Sequence, residues 1–100
     1  MAMVTEYNVL LYGTRDGYGN VRAEIQLFEG ADVLGYVRFH DPDMPFQNDS
    51  DSGGTIVMHL PSAMFGNVID VLRYEEPINF YFAHDHAFLG TSDEPVGEAE

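Results

Sequence analysis

Val21-Arg22-Ala23-Glu24-Ile25-Gln26-Leu27-Phe28, then Glu29-Gly30-Ala31-Asp32, then Val33-Leu34-Gly35-Tyr36-Val37-Arg38-Phe39-His40, is the stretch on which the fold class turns. In its first eight residues Val21, Ala23, Ile25 and Leu27 alternate with Arg22, Glu24 and Gln26, the period of a half-buried strand. The glycine-containing tetrapeptide is turn chemistry, and residues 33–40 return as a second strand, so the two form a hairpin. Upstream, residues 7–12 are rich in β-formers and residues 13–20 are loop chemistry, which makes the first three strands an antiparallel meander.

Downstream, residues 41–54 hold two prolines, four aspartates and two glycines without apolar periodicity, and read as one long loop. Residues 55–60 resume a strand pattern. Phe65, Val68, Ile69 and Leu72 then fall at the spacing of an amphipathic helix, with Ser62 as N-cap and Pro77 stopping the helix near Glu75 or Glu76. Residues 78–83 and 87–91 are two further strands around His84-Asp85-His86. The order β-β-β-β-α-β-β places one helix on one face of a mostly antiparallel sheet, the α+β class. Whether the strands flanking the helix run parallel is left open, because the chain between them is long enough for a crossover. One domain over residues 1–92 and an acidic, frayed tail over 93–100 complete the organisation.

Composition narrows the function. Seventeen acidic residues face four basic ones, for a formal charge of −13. Direct binding to nucleic acid or to an anionic membrane, each of which needs a basic patch, is therefore not expected. All four basic residues are arginines (Arg15, Arg22, Arg38, Arg73), so lysine-dependent chemistry does not arise, and with no cysteine neither do disulfides, thiolate nucleophiles or CxxC metal sites. The first residues lack the basic and apolar regions of a signal peptide and no apolar run approaches a membrane span, so the expected compartment is the cytoplasm.

The strands carry more apolar surface than one helix can cover. Residues 33–39 place Leu34 and Tyr36 opposite Val33, Val37 and Phe39; residues 78–83 place Tyr81 opposite Ile78, Phe80 and Phe82; and the first strand sets Leu10 and Tyr12 against Val9 and Leu11. Three covers would serve: a curled sheet, the aspartate loop folded back on Met44 and Phe46, or a second subunit. The favoured one is a twofold homodimer with Leu34, Tyr36, Tyr81, Leu10 and Tyr12 at its interface.

Candidate chemistry is sparse. His84 and His86 have the H-x-H spacing that aims two imidazoles at one divalent metal in an extended strand, with His40 or His59 as a third ligand; against this, His84-Asp85-His86 reads as a plain hairpin turn. The aspartates of residues 41–54 suggest calcium but miss the EF-hand pattern, and a solvated acidic loop is the simpler reading. No serine sits in a nucleophile elbow, and Asp41 beside His40, with Glu24 or Arg38 on the same hairpin, is the one acid-base grouping that can be drawn. The sequence therefore leans away from an enzyme and from any cofactor beyond a divalent metal. It favours a homodimeric interaction or regulatory module engaging a basic protein partner, with an acidic mimic of nucleic acid as the alternative.

Overall fold

The computed structural model describes residues 2–91. In chain order its elements are β1 (Ala2–Met3), β2 (Glu6–Leu11), β3 (Ala23–Glu29), β4 (Asp32–His40), β5 (Ser50–Ser52), β6 (Thr55–Pro61), a 3₁₀ turn at Ser62–Met64, α1 (Phe65–Tyr74), β7 (Ile78–Ala83) and β8 (His86–Thr91). The α+β class holds, with mostly strand and one short helix. The meander is as expected: β2, β3 and β4 pair antiparallel, with Val9 opposite Ile25 and Ile25 opposite Val37.

The pairing among the described strands is mostly antiparallel, as expected, but the arrangement departs from the expected single sheet in three ways. The strands form two sheets, β2-β3-β4-β6-β5 and β1-β7-β8. Within the larger one β4 and β6 are parallel, Val37 beside Met58 and Phe39 beside Leu60. Residues 41–54 are not all loop, because Ser50–Ser52 forms β5 against β6 around the Gly53-Gly54 turn, where both glycines have positive φ. The physical reason is one of direction. The residues after β4 carry the chain back along the sheet, so β6 runs the same way as β4, and neither the polar tripeptide of β5 nor the dipeptide of β1 is long enough to show a periodicity.

The core lies between the larger sheet on one side and α1 with β7 and β8 on the other. Ile25, Leu27, Val37, Phe39 and Phe80 are fully buried there. Each such side chain contributes on the order of 2 kcal/mol by leaving water. The helical stripe is used as its spacing demands: Val68 is buried, Phe65, Ile69 and Leu72 pack against the same cluster, and Phe65 meets Phe39 edge-on at 5.0 Å. The helix is shorter than expected, and Ser62 does not cap it; the residue at the cap is Met64, with no side-chain cap bond. The Ser62 hydroxyl donates instead to Asp41, whose carboxylate also accepts from Arg22 Nε at 2.8 Å. Those two bonds hold the Asp41 carboxyl below the usual carboxylate range. The Ser62 bond also ties the end of β4 to the end of β6, where His40 lies opposite Pro61.

An arginine and a glycine hold the larger sheet in shape. The Arg22 guanidinium also donates to the carbonyls of Tyr12, Thr14 and Arg15 at 2.7 to 2.8 Å, so one side chain organises the loop between β2 and β3. Gly35 lies on β4 at φ +156° against Ile56 of β6. A Cβ there would stand 1.9 Å from the Ile56 carbonyl oxygen, so the close approach of the two parallel strands requires glycine. The acidic tail expected over 93–100 lies outside the described residues.

Candidate functional site

The two sheets meet along β6 and β8, and one carboxylate joins them. Asp49, at the end of the segment after β4, accepts from the His59 N–H of β6 at 2.8 Å and from the Ala87 N–H of β8 at 3.0 Å. A cleft of about 570 Å³ opens at this seam, lined by Gln47, Asn48, Asp49, His59, Asp85 and His86.

Beneath it two histidines form a relay. His40 is 3% exposed, and its Nδ1 lies 2.7 Å from the Asn20 carbonyl oxygen. A carbonyl only accepts, so this nitrogen carries the proton and Nε2 of the neutral ring is an acceptor. That Nε2 is 2.8 Å from His59 Nδ1, which therefore donates, and the two rings stack with centroids 5.0 Å apart. Phe46 lies over His40 at 4.9 Å while remaining 54% exposed, and Met44 is buried.

Burial first, then the neighbouring His40 and Arg38, push the His59 pKa below the ordinary 6.5, while Asp49 pulls the other way. Charging both rings would set N–H against N–H across the 2.8 Å bond. The unfolded imidazole takes its proton near 6.5 and the folded one only at lower pH, so stability is complete above about 6.5 and declines as the pH falls below it. Urea midpoints of metal-free protein between about pH 8 and about pH 5 should show this decline, reduced in His59→Gln. A flat profile across that window would contradict the relay.

The structure scatters the other expected residues. His84 and Asp85 occupy the β7–β8 turn with φ of 54° and 62°, and only His86 lies on a strand. His84 is therefore not extended, and its carbonyl instead accepts from His86 Nδ1 at 2.7 Å. The grouping drawn around His40 and Asp41 is divided: Asp41 pairs with Arg22, while Glu24, 7% exposed, accepts from Arg38 Nε at 2.8 Å. Among the described residues no group of three His, Asp or Glu side chains is arranged to hold a metal.

Of the residues read as an interface, Leu34 is the extra residue where the β3–β4 register shifts, and it packs against the core. Tyr81 is half-buried and stacks on Phe88 at 5.1 Å. Tyr36 is half-buried under the Arg38 guanidinium. Leu10 is 44% exposed and belongs to β2, the outermost strand of the larger sheet, where Val9 is 37% and Leu11 72% exposed. Tyr12 follows directly, its ring 5.4 Å from the exposed Tyr18. The sequence showed Val9 and Leu11 as strand residues but not that their strand is an edge, since no local pattern marks the absence of a neighbour.

Comparison with protein-family models, curated proteins and solved structures gives no match. No helix among the described residues is long and apolar enough to cross a membrane.

Proposed function

We propose that the chain is a non-enzymatic interaction module that works as a homodimer, its acidic exterior left free to engage a basic protein partner. The observation that carries this reading is the open edge at β2. Tyr12 N–H donates to the Arg22 carbonyl, and alternation along an antiparallel ladder then turns the backbone groups of Leu10 and Asn8 toward β3 and those of Val9 and Leu11 outward. Three consecutive large apolar residues thus accompany unpaired N–H and C=O groups, on a strand with neither proline nor lysine to deter pairing.

A second copy fits this edge. Antiparallel pairing about a twofold axis at Val9 sets Leu11 against Tyr7 and Leu10 against Asn8, joining two larger sheets into one. Glu6, the one charge on β2, then lies at opposite ends of the seam in the two copies and not against itself. The reading as a nucleic-acid mimic draws less support, because Asp41, Glu24 and Asp49 are each engaged within the fold and do not form a phosphate-like row.

Sedimentation velocity at micromolar concentrations should show a dimer that tightens with added salt, as screening relieves the repulsion between two acidic chains. Leu11→Glu and Leu10→Glu should give folded monomers with at least about a hundredfold weaker self-association. Tyr81→Glu, in the other sheet, separates the edge from a face interface: it should leave an edge dimer intact. A monomeric wild type would defeat the proposal.

A further inference from the structure

Two imidazoles, one from each sheet, line the seam cleft, and each is fixed in the tautomer that bares Nε2. On His86 the Nδ1 proton is committed to the His84 carbonyl at 2.7 Å, which leaves Nε2 with its lone pair. On His59 the same result comes through the relay, because Asn20 fixes His40 and His40 fixes His59 with its proton on Nδ1. Among the described residues no side-chain nitrogen or oxygen sealed from solvent lacks a partner, so the bare His59 Nε2 is open to solvent and not trapped. A second nitrogen held by a carbonyl or another ring is the arrangement that orients imidazoles as metal ligands.

The strands that carry the two rings are held together by Asp49, whose two oxygens reach the N–H of His59 and the N–H next to His86. Asp49 and Asp85 make the cleft wall electronegative, and the chain as a whole carries −13. Imidazole nitrogens select zinc, nickel or copper over calcium or magnesium.

We propose that His59 and His86 form a two-imidazole site for a first-row transition-metal dication at the seam of the two sheets. No third His, Asp or Glu among the described residues joins them, so water fills the remaining positions, and the metal is held less tightly than in a closed structural site. His84 is not a ligand; its backbone carbonyl orients His86. The ion would bridge the two sheets, which the Asp49 carboxylate already joins through its bonds to the His59 and Ala87 N–H groups.

The test is a calorimetric titration of the tag-free, chelator-treated protein with Zn²⁺ and Ni²⁺, together with electron paramagnetic resonance of the Cu²⁺ form. One ion per chain is expected, with nitrogen hyperfine structure from two imidazoles. His86→Gln removes an exposed ring and should lower the affinity at least about tenfold, as should His59→Gln, while His84→Gln should leave it unchanged. Because His59 is largely buried, circular dichroism must show that its variant is folded; the His86 variant stands without that condition. No binding at millimolar metal, binding indifferent to His86→Gln, or a copper spectrum with oxygen ligands alone would each overturn the site.

Discussion

Gly35→Ala is expected to abolish cooperative folding or to lower stability by at least about 4 kcal/mol, an exceptional effect for the addition of one methyl group. The new Cβ would stand 1.9 Å from the Ile56 carbonyl oxygen and 2.8 Å from its carbon, both backbone atoms that no change of rotamer can move. The φ of +156° adds strain for any residue with a side chain. Relief requires β4 and β6 to separate, and that disrupts the parallel ladder on which Val37, Phe39 and Ile56 depend for burial. With native domains stable by about 5–15 kcal/mol, such a loss leaves little margin. Urea denaturation followed by circular dichroism reads it directly. A midpoint within error of the wild type would mean that the close approach at Gly35 does not hold the sheet.

Asp49→Ala is expected to lower stability by about 2 to 3 kcal/mol. The substitution leaves the N–H groups of His59 and Ala87 without an acceptor, and each unpaired buried donor costs about 1 to 3 kcal/mol. Both bonds are part-buried, which places each toward the low end of that range. Asp49→Asn keeps one acceptor oxygen and should lose about half as much. Hydrogen exchange at the Ala87 amide gives a second readout, because this proton should lose protection in both variants and most in the alanine one. A shift under about 0.5 kcal/mol would show that water replaces the carboxylate without loss.

The parts of the fold legible in the sequence were those with a strong local period. The alternation in residues 21–28 and the i, i+3, i+4, i+7 stripe of α1 each needed only their own residues to declare a buried face. The parallel pairing of β4 and β6 was not legible, because alternation fixes a strand's faces and says nothing of its direction. The relay was lost with it. His40 and His59 were visible as candidate ligands, but only the register that sets Arg38 beside His59 brings the two rings together. His84 and His86 were legible as a pair and not as a geometry, since the positive φ at His84 places it in the turn and leaves His86 alone on its strand. In the sequence Asp49 is one of several aspartates of an acidic loop, and nothing in Asn48-Asp49-Ser50 signals that the N–H groups of His59 and Ala87 will converge on it.

The Asp49 staple joins residues 38 apart in the chain, whereas the strands of the meander pair with their immediate neighbours. Closing a long loop carries the larger entropic cost, so contacts between near neighbours are expected to form before the Asp49–Ala87 bond closes the seam. In a transition state built on β2, β3 and β4, the carboxylate still lacks its Ala87 partner. The rate at which the chain folds should then depend little on the Asp49–Ala87 bond, and the rate at which it comes apart should depend on it. The lifetime of the folded molecule, more than the speed of its formation, is set at the seam between the sheets.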